Sequence, residues 1–190
     1  SPLIYFCISE NPIEQLPDLL PIPLEQLYMA DCGLNEIPNS IIRNEELVCI
    51  IAPGNKFTKV PYIPTLQKAN FSCNKLKAIP ILPLTIESID FTCNEIEEIP
   101  NELNLPLLID MNVSYNKIKS IPTSFTAPKL KSFSIAHNPV SGDWKLTLPN
   151  LDKLDISNTG INPATVPLIG ELIISDWSLD YAHTVVTGPS

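Results

Sequence analysis

A chain of 190 residues, 44% hydrophobic, is long enough to bury one continuous core and is ordinarily one domain or two. Its formal charge of −9 opposes nucleic acid, whose binding draws on clustered Lys and Arg, and equally opposes anionic membrane surfaces. No apolar run approaches the roughly 20 residues of a membrane span, so no membrane insertion is expected.

One apolar skeleton returns along the whole chain. It is clearest in Ile86–Pro100, where Ile86, Ile89 and Phe91 outline a short strand and Asn94 follows as a lone polar residue. Ile96 and Ile99 then turn inward before Pro100. In chain order the first unit uses Leu3, Phe6, Ile8, Asn11, Ile13 and Leu16-Pro17, and the second Leu24, Leu27, Met29, Leu34 and Ile37-Pro38. Leu47, Ile50, Ala52, Phe57 and Val60-Pro61 make the third, and Leu66, Ala69, Phe71, Leu76 and Ile79-Pro80 the fourth. The sixth has Leu108, Met111, Val113, Ile118 and Ile121-Pro122. The seventh keeps Leu130, Phe133, Ile135 and Val140, but Ser141-Gly142-Asp143-Trp144 replaces its Ile-Pro step. The eighth carries Thr159 where Asn is expected, and the last register (Ile169, Leu172, Ile174) carries Trp177. Terminal units of an array must cover an otherwise exposed core, a role that suits Trp144 and Trp177.

Aligned on Asn94, the units form a ladder of Asn11, Cys32, Asn55, Asn74, Asn94, Asn116, Asn138, Thr159 and Trp177, spaced about 21 residues apart. An inward-turned Asn both donates to and accepts from backbone groups of its own and adjacent units. Each strand is expected to span three to five residues and to pair in parallel with its neighbours. The 20 prolines concentrate in the return segments, which predicts polyproline or 3₁₀ backbone on the far side. The proline-free return around Asn39–Glu46 is the best candidate for a short helical turn.

The skeleton resembles the leucine-rich repeat, L-x-x-L-x-L-x-x-N-x-L, over about 175 of the 190 residues. The proline-rich form, as in Pro23–Pro38, looks like short bacterial-type repeats, which occur in secreted effectors and in intracellular eukaryotic proteins. The resemblance implies an α/β-type repeat solenoid: a horseshoe with a concave parallel sheet and a mostly extended or 3₁₀ convex side. It also implies a protein-binding scaffold whose motif carries no catalytic residue. The expected organisation is a solenoid of eight to nine repeats over residues 1–176, with residues 177–190 a cap or a linker to a further domain.

Residues between the core positions of each strand face the concave surface. The N-terminal third offers Tyr5, Tyr28 and Ile51 as an exposed apolar and aromatic patch. The middle offers Asn70, Asp90, Asp110, Asn112 and Asp155 as an acidic and amide strip. Aromatic anchors beside a polar strip suit a protein or peptide ligand; the plainer alternative is that the tyrosines cover a chain end and the carboxylates are solvated. Cys73, Cys93, Tyr115 and His137 precede the ladder on successive units. With only three metal-ligating side chains spread over four units they do not make a closed zinc site, and small residues packed at a turn are expected there.

Five cysteines, Cys7, Cys32, Cys49, Cys73 and Cys93, stand scattered, without the paired clusters that close secreted repeat proteins. That favours free thiols and an intracellular, cytoplasmic setting. Asn70-Phe71-Ser72 and Asn112-Val113-Ser114 match the glycosylation sequon, but the cysteines argue against its use. There is no phosphate-binding loop, HExxH or nucleophile elbow, so no catalytic residue, cofactor or metal is expected in this chain. The tail resembles the opening strand of metal-dependent type 2C Ser/Thr phosphatase domains through Trp177, Tyr181, Ala182, Thr184 and Pro189. Asp180 departs from that pattern, and the spacing to Gly188 is two residues off. Such domains follow leucine-rich repeats in some signalling proteins, including fungal adenylate cyclases. The reading is therefore a non-catalytic interaction module in intracellular signalling. The alternative is a targeting segment of a larger enzyme or of a bacterial-type effector.

Overall fold

The structure, a computed structural model, describes residues 5–16, 23–174 and the backbone strand 184–187. It is a repeat solenoid built on one ten-stranded sheet. Nine strands stack in parallel: β1 (Tyr5–Cys7), β2 (Gln26–Tyr28), β3 (Cys49–Ile51), β4 (Lys68–Asn70), β5 (Ser88–Asp90), β6 (Asp110–Asn112), β7 (Ser132–Ser134), β9 (Lys153–Asp155) and β11 (Glu171–Ile174). The register never slips, so Gln26, Cys49, Lys68, Ser88, Asp110, Ser132, Lys153 and Glu171 form one row. Only the middle residue of each strand points inward, as the two-residue period of a strand requires. Leu27, Ile50, Ala69, Ile89, Met111, Phe133, Leu154 and Leu172 are these buried residues.

Two turns keep the strands short. Before the strand, a tight turn closes from the carbonyls of Ile63, Leu105, Ala127 and Leu148 to the N–H groups of Leu66, Leu108, Leu130 and Leu151, at 3.1–3.3 Å. Pro64, Pro106, Pro128 and Pro149 stand second in these turns, where the ring's fixed φ matches the backbone. After the strand, one residue per unit enters the left-handed region: Glu10, Asp31, Gly54, Cys73, Cys93, Tyr115, His137 and Asn158 all have φ between 52° and 68°. A side chain there costs roughly 1–2 kcal/mol, least for Asn and Asp, so the strain falls on residues such as Cys73, Cys93 and Tyr115, and Gly54 carries none. A Cβ built on Gly54 would lie 1.8 Å from Asp31 Oδ1. Gly54→Ala is therefore expected to lower stability by about 1–2 kcal/mol, read as a fall in the urea midpoint.

Inside, Phe57, Phe71 and Phe91 stack with ring centroids 5.9 and 6.4 Å apart, and the column resumes at Phe125, Phe133 and Trp144. Five ladder asparagines are buried beside this core, Asn55, Asn74, Asn94, Asn116 and Asn138. Each donates to carbonyls of its own and the preceding rung, while its Oδ1 accepts an N–H from that preceding rung. Asn11 differs. Among the described residues it is exposed and bonds the carbonyls of Ile8 and Ser9, both of its own rung. Cys32 and Thr159 fill the slot with single polar atoms directed at nearby carbonyls.

The far side is nearly free of helix. Among the described residues only Asn39–Arg43, in the proline-free return, and Pro163–Thr165 form 3₁₀ turns. Where the Ile-Pro step is lost, β8 (Ser141–Asp143) pairs in parallel with β10 (Gly160–Asn162), making a second, two-stranded sheet. Trp144 follows it into the core and donates Nε1–H to Leu146 O at 3.0 Å. In the C-terminal segment, β12 (Thr184–Thr187) runs antiparallel to β11. Leu3, Pro17, Trp177, Tyr181, Ala182 and Pro189, singled out above, lie outside the described residues, as does the side chain of Thr184.

Candidate functional site

The concave face begins with two tyrosines. Tyr5 is 52% exposed, and its ring lies 4.8 Å from that of Tyr28, tilted by 38°. Tyr28 and Ile51 are half-buried, so the apolar patch presents chiefly Tyr5 and the edges of its neighbours. Beneath Tyr28 sits Cys49, only 8% exposed although its row faces the concave surface. Burial pushes the Cys49 thiol up, opposed by the nearby Lys68 charge and the Tyr28 hydroxyl.

At the exposed edge of the patch Cys7 is the opposite case. The N–H and hydroxyl of Ser9 lead in holding its thiol below the ordinary value, and the Tyr5 hydroxyl adds to them. The Cys7 sulfur lies 3.7 Å from Ser9 Oγ. A lowered value means a larger thiolate fraction at neutral pH, and the thiolate is the nucleophile. Iodoacetamide at pH 7 is expected to label Cys7 first and the two buried thiols, Cys32 and Cys49, last. Peptide mass mapping over time checks the order.

The polar strip is more tightly engaged than its outward direction implies. Oδ1 of Asn70, Asp90, Asn112 and Asp155 accepts the N–H two residues on, from Ser72, Thr92, Ser114 and Ser157, at 2.9–3.0 Å. The hydroxyls of Ser72 and Ser157 add a second bond to the same oxygens. These are Asx turns, which end the strand and lead into the left-handed residue. One oxygen of each side chain is therefore committed to the backbone, leaving the second oxygen or the amide nitrogen toward solvent. Asp110, in the neighbouring row, is exposed. Lys153 and Glu171 pair at 3.5 Å near the C-terminal end, and both side chains are open to water.

Along the rim runs the left-handed column. Cys73 and Cys93 are exposed there rather than packed at a turn, because the left-handed backbone turns their side chains away from the core. Tyr115, 55% exposed, stacks on His137 with centroids 4.0 Å apart and planes within 9°. The His137 ring in turn meets Asn158 Nδ2 at 3.1 Å. All five cysteines are free thiols, and no described helix is long and apolar enough to cross a membrane.

No protein-family model matches the chain, and no curated protein matches it in sequence. Solved structures do. A Shigella effector LRR domain superposes with a TM-score of 0.71 at 21% identity, covering 83% of this chain and 70% of that one. The chain has the leucine-rich repeat fold. A Listeria monocytogenes internalin, inlF, superposes at 0.69 and 19% identity, over 84% of this leucine-rich repeat chain and 49% of its own. A TLR13–ssRNA13 complex gives 0.64 at 20% identity, over 74% of this chain and 22% of the receptor chain. The repeat array thus spans under half the length of two of these three structures. Among its described residues no group of three or more His, Cys, Asp or Glu side chains is placed to hold a metal ion.

Proposed function

We propose that this leucine-rich repeat chain is a non-catalytic recognition module that binds an extended segment of a partner protein along its concave sheet. The Tyr5–Tyr28 pair carries the reading: two rings in contact, one half open to water, stand at one end of the concave sheet, with the polar strip of Asn70, Asp90, Asn112 and Asp155 further along it. Tyrosine supplies a large contact area at little entropic cost, and such rings anchor many interfaces. Asp90 and Asp110 on neighbouring rungs favour a ligand with basic or amide groups opposite them. The same carboxylates, with the net charge of −9, argue against RNA as the ligand despite the RNA in one similar structure. The five free thiols support an intracellular setting. Residues 177–190 are read as a cap or linker, a view that the antiparallel pairing of β12 with the last parallel strand supports.

Site-specific photo-crosslinking tests the face. A photoreactive residue at Tyr28 or Ser134 is expected to capture a partner in cells that the same residue at convex Ile81 does not. Equal capture from Ile81 would place the partner elsewhere.

A further inference from the structure

Two series of side chains change together on the third and fourth rungs. Residues 47–86 hold five lysines and no carboxylate, in a chain whose formal charge is −9. Lys68 belongs to the concave row. Lys56, Lys59, Lys75 and Lys77 follow the ladder residues Asn55 and Asn74, and all four are exposed. The backbone aligns this flank with its neighbours. Lys56 N–H donates to Leu34 O at 2.7 Å, Lys75 N–H to Phe57 O at 2.9 Å, and Glu95 N–H to Leu76 O at 2.8 Å. These three residues therefore hold one position on successive rungs, and the sign of the flank reverses at the fifth, where Glu95, Glu97 and Glu98 stand. Glu95 pairs with Lys117 at 3.2 Å and Lys153 with Glu171 at 3.5 Å, whereas among the described residues no carboxylate pairs with the four flank lysines.

Apolar exposure falls on the same two rungs. Tyr62, 47% exposed, and Ile81, 79% exposed, each follow the proline of their rung, Pro61 and Pro80. The corresponding residue is Asn39 on the rung before and Asn101 on the rung after. Single apolar side chains on a surface need no explanation, but a pair on adjacent rungs, rimmed by charge of one sign, marks an interaction surface.

We propose that the outer side of the third and fourth rungs docks an acidic segment of a partner protein that also carries apolar side chains. Its carboxylates lie opposite the four lysines, and its apolar residues cover Tyr62 and Ile81. Lys77 and Ile81 are four residues apart in sequence, so at most about 14 Å separates their backbones, a span that a short extended segment covers. The charge distribution decides against an anionic bilayer. The next rung lies about 5 Å away, inside the Debye length of about 8 Å, so a flat surface meeting the lysines also meets Glu95, Glu97 and Glu98. A single segment laid along the rungs keeps its charges over the lysines. This surface is separate from the concave face, so either can fail without the other.

Fluorescence anisotropy tests it with a fluorescein-labelled peptide in which a run of Glu precedes Leu-Pro-Leu. The parent chain is expected to bind the peptide. Lys59→Glu combined with Lys77→Glu is expected to weaken binding about tenfold and to flatten its dependence on salt. Ile81→Ser is expected to weaken it about threefold with the salt dependence kept, because apolar contact is lost and no charge. Lys119→Glu combined with Lys145→Glu changes the net charge equally at exposed sites off the patch, and is expected to leave binding unchanged. All five side chains are exposed, so an unchanged urea midpoint shows that each variant is folded. No binding by the parent chain, or equal loss in the two charge-reversed pairs, would overturn the proposal. So would co-sedimentation with phosphatidylserine vesicles that the Lys59 and Lys77 changes abolish, because the patch would then belong to a membrane.

Discussion

Replacing Asn94 with alanine is expected to lower the stability of the chain by about 3 kcal/mol. Its Nδ2 lies 2.9 Å from Phe71 O, 3.0 Å from Phe91 O and 3.2 Å from Thr92 O, while Oδ1 accepts the Leu76 N–H at 3.0 Å. Alanine leaves a buried N–H and its carbonyls without that partner. An unpaired buried group costs roughly 1–3 kcal/mol, and local relaxation recovers part of the total. The urea midpoint is expected to fall by about 1–2 M. Asn11→Ala is the control, because Asn11 is exposed and, among the described residues, bonds its own rung; its effect should stay within about 0.5 kcal/mol. Equal shifts at the two positions would mean that the cross-rung bonds add nothing.

Phe71→Ala is expected to cost more, about 4 kcal/mol, and to change the shape of unfolding as well as its midpoint. Phe71 is fully buried and touches the rings of both neighbouring rungs, Phe57 and Phe91. In an array stability is close to a sum of rungs and nearest-neighbour interfaces, so a defect in the middle weakens the link between the halves. Both tryptophans, Trp144 and Trp177, lie in the C-terminal half and report on it alone. The tryptophan signal is expected to outlast the far-ultraviolet dichroism in a urea titration of the variant, whereas the two coincide in the parent chain. Coincident curves in the variant would show cooperativity stronger than nearest-neighbour coupling.

Much of this architecture is legible in the residues. The apolar periods place the parallel strands, and the missing prolines of Asn39–Glu46 mark one of the two described 3₁₀ turns. The backbone geometry between those marks was not legible. Asn70-Phe71-Ser72, Asp90-Phe91-Thr92, Asn112-Val113-Ser114 and Asp155-Ile156-Ser157 repeat one Asx-x-Ser/Thr pattern, a turn signal that reads equally well as a surface strip or a sequon. Only the hydrogen bonds tell these apart. Likewise only Gly54, Asp31 and Asn158 hint at the left-handed column; Cys73, Cys93, Tyr115 and His137 have no chemistry in common that would announce a positive φ. Physical pressure from the repeat imposes the conformation there, against the preference of each side chain.

The candidate site is less visible still, because the concave face is written in residues that the core does not constrain. Cys49 alternates outward with its row yet lies covered, since a neighbouring tyrosine is long enough to fold over a small thiol. Burial on such a face depends on the size of the side chain next door, which a single row of letters does not display. The second sheet, β8 with β10, depends on a pairing across 19 residues that no local pattern encodes.

The unbroken register also makes the chain a spring. Each strand of the main sheet is bonded only to those beside it, so a pull on the two ends loads those links in series. Rungs would be released one after another from the ends rather than all together. Each would pay out roughly 70 Å of chain for about 21 residues, far more than the spacing it had occupied.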